Sequence, residues 1–161
     1  MTKDKIILGI DPGTNILGFG VIGINTKGPY YIDMGVFDLR KIKDPYEKLA
    51  NIFAGVSELI ATHEPDYLAV ESPFYGKNAQ VVLKLGRAQG AALTAAVMKG
   101  IPVAEYAPRK AKIAICGNGA ASKEQVSKTQ CFKAVYQPFQ AVFSDIHRIL
   151  AEVNGALIVS T

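Results

Sequence analysis

The segment that most constrains the fold is IILGIDPGTNILGFGVI, residues Ile6–Ile22, in which two apolar runs flank a short loop. Lys5–Ile10 has the composition of a buried strand, and Leu17–Ile22 alternates large apolar residues with glycine, as in a second strand. Asp11 follows the first run directly. A carboxylate beside a buried strand is costly to desolvate unless a cation, a metal ion or a helix terminus is its partner. The position of Asp11 therefore indicates a charge partner, although such a residue is more often a turn or cap residue.

The next elements extend this start into a meander and a helix. Tyr30–Phe37 follows the turn-like Asn25–Pro29 and predicts a third, antiparallel strand. Asp44 before Pro45 predicts a helix start, with Asp as the N-cap and Pro at the first position. Apolar residues then recur at helical spacing and predict a buried face formed by Tyr46, Leu49, Phe53, Val56 and Ile60.

The rest of the chain alternates strands and helices. Tyr67–Val70 predicts a short strand ending at Glu71, and a helix follows from about Asn78 to Lys99. We then expect a strand over Ile101–Tyr106 and helices over Pro108–Ile115 and from Ser122. This order predicts a mixed α/β sheet with helices on both faces. Small residues in the second helix predict close approach, either to the sheet of the same subunit or to a partner helix: Gly86, Gly90, Ala91, Ala92, Ala95 and Ala96.

Length and composition bound the class of protein. The 161 residues, 49% of them hydrophobic, suit one domain spanning residues 1–161. No apolar run approaches the roughly 20 residues that span a bilayer, and the N-terminus lacks the pattern of a secretory signal. We therefore expect a cytoplasmic protein without a membrane partner. Cys116 and Cys131 have no companion cysteines for a zinc site, and we assign them no chemistry.

Charge is distributed unevenly along the chain. Residues 1–76 carry 7 basic and 10 acidic side chains, residues 77–133 carry 10 and 2, and residues 134–161 carry 1 and 2. The differences of −3, +8 and −1 give the net charge of +4. A carboxylate-rich part beside a basic part is typical of an enzyme that acts on a polyanion, and a solvated Lys-rich helix face explains the basic segment equally well.

Asp11 and Glu71 both follow predicted central strands, whose ends can converge at one crevice of such a sheet. Two carboxylates without a cation repel each other, and one then keeps its proton at neutral pH. Mg²⁺ removes that repulsion, because it is commonly bound by one or two carboxylates together with the phosphate oxygens of a substrate. With a third carboxylate, two metal ions about 4 Å apart can catalyse hydrolysis of a phosphodiester.

An ordered set of motifs carries a resemblance to a known family. The motifs are ILGIDPGT at residues 7–14, LGFGVI at 17–22, AVE at 69–71, KN at 77–78, LKLGRAQG at 83–90, EYAP at 105–108 and SKEQV at 122–126. Together they resemble the bacterial RuvC family of crossover junction endodeoxyribonucleases, or Holliday junction resolvases, over about residues 5–126. An isolated I-D-x-G also occurs in actin-like kinases, but this chain lacks a second phosphate-binding hairpin and a long second domain.

The resemblance implies an RNase H-like fold with a mixed five-stranded sheet, and a homodimer that nicks four-way DNA junctions symmetrically with Mg²⁺. It implies two ions per subunit, with Mn²⁺ as a substitute, and the branch-migration proteins RuvA and RuvB as partners. Asp11 and Glu71 match the first two metal-binding acids. The other matches are Phe74, an aromatic residue for stacking on an unpaired base or else a packed loop anchor, and Lys112 and Lys123, basic residues near the scissile phosphate. Possible phosphate contacts, with a solvated face as the alternative, are Lys77, Lys84 and Arg87.

The tail at residues 127–161 departs from the family pattern. The family places an acidic residue or His on a C-terminal helix with an Asp three positions later, whereas here Asp145 is followed three residues on by Arg148. We consider three explanations. The first is that Asp145, alone or with His147, supplies a variant third metal ligand, where helical periodicity places Glu152 on a face related to that of Asp145 and His147 on a different one. The second is that the site is incomplete and the protein binds junctions without cutting them well. The third is that the reading frame shifts soon after Val126. The abruptness of the change favours the third.

Overall fold

The computed structural model describes residues 4–72 and 78–106. The helices predicted over Pro108–Ile115 and from Ser122, and the tail from residue 127, lie outside this part of the chain. The elements are β1 (Lys5–Asp11), β2 (Ile16–Asn25), β3 (Gly28–Asp38), α1 (Pro45–His63), β4 (Tyr67–Glu71), α2 (Ala79–Val97) and β5 (Val103–Tyr106). Neither of these helices is long and apolar enough to cross a membrane.

The strands form one five-stranded sheet in the order β3-β2-β1-β4-β5. β1 pairs with β2, and β2 with β3, in antiparallel orientation, which confirms the predicted meander. β4 is parallel to both β1 and β5. The crossover from β3 through α1 therefore brings β4 beside β1 at the centre of a mixed sheet, as the predicted fold class requires.

The β2–β3 hairpin is tighter than the sequence suggested. Asn25 pairs with Gly28, so that only Thr26 and Lys27 form the turn, and the prediction of a turn over Asn25–Pro29 was too long. The side chain of Asn25 closes this turn by accepting a 2.9 Å hydrogen bond from the amide of Lys27. Strand pairing can therefore continue up to the turn itself.

The predicted start of α1 is confirmed, whereas its buried face is partly wrong. The Asp44 carboxylate caps the helix by accepting hydrogen bonds from the amides of Tyr46 and Glu47 at 3.3 and 3.2 Å. Tyr46 is 71% exposed, because the first turn of the helix projects beyond the core. The residues of α1 that are buried are Ile52, Val56, Leu59 and Ile60.

Both helices pack against the same face of the sheet. Leu8 and Ile10 of β1 and Leu68 and Val70 of β4 form one hydrophobic core with α1 and α2. The residues of α2 in this core are small, namely Ala88, Ala92, Ala95 and Ala96. These alanines pack inside the subunit, in the core shared by the sheet, α1 and α2, rather than against a partner helix, and the closest backbone approach of α2 is to α1. A helical layer on the opposite face remains a prediction, because the further helices lie outside the described residues.

A second cluster of buried residues lies on the opposite face of the sheet. It contains Ile7, Ile22, Ala69 and Tyr106, one from each of the four adjacent strands β2, β1, β4 and β5. Side chains alternate between the two faces along a strand. Asp11 therefore belongs to the face of Ile7, and Glu71 to the face of Ala69, so both acids lie on the side of the sheet away from α1 and α2.

Candidate active site

Asp11 and Glu71 are the last residues of the two central parallel strands. Ile10 is paired with Val70, so the next residue of each strand is the acid in question. Neighbouring strands lie about 4.8 Å apart, and these two positions share one face of the sheet. The structure thus brings together the two carboxylates that sequence reasoning singled out, at the crevice expected at the ends of parallel strands.

The strand that carries Glu71 is held at its end by β5 and α2. Glu71 is paired with Tyr106, and the amide of Ser72 donates a 2.8 Å hydrogen bond to the carbonyl of Tyr106. On the other face of the sheet, the Glu105 carboxylate accepts hydrogen bonds from Gln89 Nε2 at 3.0 Å and from Ser72 Oγ at 3.4 Å. These contacts fix the backbone on both sides of Glu71.

Gln89 was not identified from the sequence. Its side chain is 5% exposed, and it is the one buried polar residue among those that the structure describes. It lies on the buried face of α2 between alanines, where a polar side chain needs a partner. The partner, Glu105, is 16 residues away, and local sequence patterns carry no signal for such a pair.

The loop that follows Asp11 is held by contacts from α1 and from the end of β3. Lys48 Nζ donates hydrogen bonds to the carbonyl of Thr14 and to Asn15 Oδ1, each 3.0 Å long. The amide of Leu39 donates to the carbonyl of Asn15 at 2.8 Å. These contacts give the backbone next to Asp11 a fixed course, and sequence reasoning did not assign a role to Lys48.

Position 13 in this loop has no space for a side chain, so it requires glycine. A Cβ added to Gly13 would lie 1.9 Å from the carbonyl oxygen of Ile16, which is backbone and cannot rotate away. The glycine of the I-D-P-G motif therefore has a steric reason in this fold. It permits the tight return of the chain from β1 to β2 beside the carboxylate.

The donor set suits a hard divalent cation. Two carboxylates on one face at adjacent strand ends provide oxygen ligands of the kind that Mg²⁺ prefers. Within residues 4–72 and 78–106, no three His, Cys, Asp or Glu side chains are grouped closely enough to hold a metal. A third protein ligand would come from another part of the chain, and its candidate, Asp145, lies outside the described residues.

Some of the residues predicted to contact DNA lie within the described part of the chain, and others lie outside it. Phe74, Lys77, Lys112 and Lys123 lie outside the described residues. Lys84 and Arg87 are exposed on α2, on the flank that faces α1 rather than on the carboxylate face of the sheet. They line a cleft of about 420 Å³ together with Lys43 and Lys48. The structure thus places these two cations apart from the side chains of Asp11 and Glu71.

The sheet order and the parallel strand ends with their two carboxylates define an RNase H-like fold with a candidate metal-dependent site. The family model described as "Crossover junction endodeoxyribonuclease RuvC" matches residues 7–143. The chain belongs to the RuvC family. The match extends beyond Val126, and Asp145 lies beyond its end.

Relatives and solved structures agree with this assignment. The crossover junction endodeoxyribonuclease RuvC of Bacteroides fragilis is 56% identical over 125 residues, which cover 78% of this chain and 66% of that protein. The Christiangramia forsetii protein of the same name is 52% identical over 128 residues, covering 80% of this chain and 67% of that protein. Matched residues thus span about two thirds of the length of these relatives. The structure of Thermus thermophilus RuvC in complex with a Holliday junction substrate matches with a TM-score of 0.76 and 28% identity, covering 93% of this chain and 96% of that one.

Proposed function

We propose that this protein is a Holliday junction resolvase, an endonuclease that nicks two strands of a four-way DNA junction in recombination and repair. The observation that carries the proposal is the placement of Asp11 and Glu71 on one face at adjacent strand ends in a chain of the RuvC family. The Thermus relative whose structure contains a Holliday junction supports the class of substrate. The nuclease is one domain over residues 1–161 and acts in the cytoplasm.

The proposed cofactor is Mg²⁺, with two ions per subunit and Mn²⁺ as a substitute. Asp11 and Glu71 hold the metal, and Asp145 is assigned as the third carboxylate. Bound metal of this kind supplies an activated water and stabilises the leaving oxygen of a phosphodiester. The protein's own contribution is to hold the two carboxylates at fixed strand ends, so that the substrate phosphate is oriented without rearrangement of the chain.

The remaining contacts are assigned to DNA. Phe74 stacks on an unpaired base at the crossover, where stacking is worth about 1–3 kcal/mol per base. Lys112 and Lys123 stabilise the charge that develops at the scissile phosphate. Lys77, Lys84 and Arg87 bind phosphates of the junction arms.

A second candidate function is a junction-binding protein that cuts poorly. It is favoured by the sequence of the tail, which lacks the acidic pair that the family pattern places on a C-terminal helix. Asp145 would complete the site, but Arg148 lies three residues after it, where a cation would oppose a metal ion. A frameshift after Val126 stays a prediction, and it is tested by comparing codons 126–161 of the gene with those of close relatives.

A single experiment separates the two functions. The purified chain is incubated with a synthetic four-way junction, with Mg²⁺ or with EDTA, and binding and cleavage are followed on parallel gels. Paired symmetric nicks that need Mg²⁺ establish a resolvase. A junction that is shifted but stays intact with Mg²⁺ establishes the binding protein, and a junction that is neither bound nor cut refutes both.

The resolvase is proposed to act as a homodimer, with RuvA and RuvB as further partners. One face of α2 suits a self-association surface: Leu83 and Val97 are exposed, and Gly86 and Gly90 lie between them at helical spacing. No described residue comes within 4 Å of a Cβ added at either glycine. Packing within this part of the subunit therefore does not require glycine there, whereas close approach of a second helix would.

A further inference from the structure

A basic cleft lies between the two helices, away from the carboxylate face of the sheet. It is bordered by the loop after β1, the first turns of α1 and the basic flank of α2, and its volume is about 420 Å³. Four of the residues that line it are cationic, namely Lys43, Lys48, Lys84 and Arg87, and none of the lining residues is acidic.

No described carboxylate forms an ion pair with a cation of the cleft, and Asp44, next to Lys43 in the chain, uses its carboxylate to cap α1. The ion pairs found among the described residues are Lys5–Asp66, Arg40–Asp38 and His63–Asp33, and no residue of the cleft takes part in them. Lys48 donates its hydrogen bonds to neutral acceptors, the carbonyl of Thr14 and the amide oxygen of Asn15. A concave surface whose lining carries charges of one sign concentrates positive potential and attracts a polyanion.

The cleft lies close to the carboxylates along the chain. Asp11 is three residues before Thr14, and three residues span at most about 11 Å. Because Asp11 belongs to the other face of the sheet, the loop over residues 12–15 separates the metal-binding side from the cleft. One strand of DNA carries a phosphate about every 3.4 Å along the helix axis, so a strand bound at Asp11 and continuing past this loop would bring further phosphates toward the cleft.

We propose that this cleft is a second phosphate-binding site, which holds the DNA backbone beside the cleaved phosphate. Lys43, Lys84 and Arg87 contact the phosphates, and Lys48 adds its charge while it holds the loop next to Asp11. The exposed ring of Tyr46 at the cleft gives an aromatic surface on which a sugar or base can pack. The inference rests on the proposed function, since it identifies a surface that would bind the DNA substrate of that function.

The first test measures how salt weakens binding of a four-way junction in EDTA, where no cutting occurs. Lys43→Gln and Arg87→Gln are compared with the wild-type protein and with two matched controls. Lys41→Gln lies two residues from Lys43, and Lys99→Gln lies just beyond α2, and neither residue lines the cleft. Each cleft variant is expected to bind roughly threefold to tenfold more weakly at about 0.1 M salt, with a salt slope shallower by about 0.9, whereas the controls match the wild type.

The second test uses the unaltered protein, so that folding of a variant does not matter. Lysines are acetylated with and without saturating junction DNA, and the modified sites are counted by mass spectrometry. Protection of Lys43 and Lys84, with Lys27 and Lys99 still reactive, supports the cleft.

Two results overturn the proposal. One is a wild-type salt slope in both cleft variants, and the other is equal reactivity of Lys43 and Lys99 in the complex. Either can occur while the wild-type protein still cuts junctions with Mg²⁺, and then the proposed function stands and only the cleft fails. A wild-type protein that does not bind junctions refutes the proposed function itself.

Discussion

Asp11 and Asp38 resemble each other in position and differ in surroundings. Each ends a strand, β1 or β3, and the two strands end at the same edge of the sheet. Arg40 donates hydrogen bonds to Asp38 from Nε at 2.9 Å and from Nη2 at 2.6 Å, and these hold the pKa of Asp38 well below its usual range. The charge of Asp38 is thus balanced by its own neighbour, and the proposed metal site uses Asp11 rather than Asp38.

We expect Asp11→Asn to abolish Mg²⁺-dependent cutting, because a neutral amide cannot replace a carboxylate in a two-acid metal site. Junction binding in EDTA should remain within a few-fold of the wild type, since phosphate contacts supply most of the affinity. Asp38→Asn is the matched control and should cut normally. Gel assays of cutting and binding measure both, and cutting by Asp11→Asn at the wild-type rate would remove Asp11 from the site.

Gly13 gives a prediction about stability. Gly13→Ala should reduce the free energy of unfolding by about 1–3 kcal/mol, because its Cβ would meet the backbone carbonyl of Ile16 and the loop must shift. Thr14→Ala next to it is the control, since the Thr14 contact with Lys48 uses the main-chain carbonyl and survives the change. Urea unfolding measures both variants. Equal stability of Gly13→Ala and the wild type would contradict the steric explanation.

At the scale of elements, the contact of α2 with β5 depends on one buried amide. Glu105→Ala leaves the donors of Gln89 buried without this acceptor, which should cost about 1–3 kcal/mol. Removing both groups with Gln89→Leu and Glu105→Ala should restore part of that loss, because no buried donor is then left unsatisfied. Urea unfolding of the two single variants and the double variant measures the coupling. A double variant less stable than Glu105→Ala would contradict this account.

The elements also show what local sequence can and cannot predict. The Asp44 cap and the strands Lys5–Ile10 and Tyr67–Val70 depend on neighbouring residues, and the structure confirms them. Tyr46 was wrongly placed in the core, because helical spacing gives the phase of a helix but not where its contact with the sheet begins. Contacts between distant residues, such as Gln89 with Glu105 and Lys48 with Thr14, leave no local pattern and emerge only from the fold.

The same distinction applies to the candidate site. Asp11 and Glu71 could be paired from sequence, because a strand–helix–strand crossover brings parallel strand ends to one edge of the sheet. The basic cleft was not predicted as a unit. Its cations come from the segment before α1, from α1 itself and from α2, and only the packing of the two helices brings them together.

At the scale of the whole molecule, the proposed symmetric nicking would require two active sites held at a fixed separation, which the proposed two-fold dimer would provide. The buried residues of α2 pack in the hydrophobic core, and the flank of α2 toward α1 lines the basic cleft. The remaining face, with Leu83, Gly86, Gly90 and Val97, is not used by the contacts of α2 with the other described elements, and it is the face proposed to meet a second subunit. A helix pair can approach closely at the two glycines while the larger residues pack at their ends.

We expect Leu83→Glu to shift the protein from the proposed dimer to a monomer, because a carboxylate in the proposed helix–helix contact would be buried without a partner. Met98→Glu is the control, since Met98 is 72% exposed, Leu83 is 62% exposed, and helical periodicity places Met98 off the glycine face. Sedimentation equilibrium gives the mass of each variant at several concentrations. In the monomer each subunit keeps its own carboxylates, so nicks on the two strands should become independent events rather than paired ones. A Leu83→Glu protein that sediments as the wild type does would place the dimer contact on another surface.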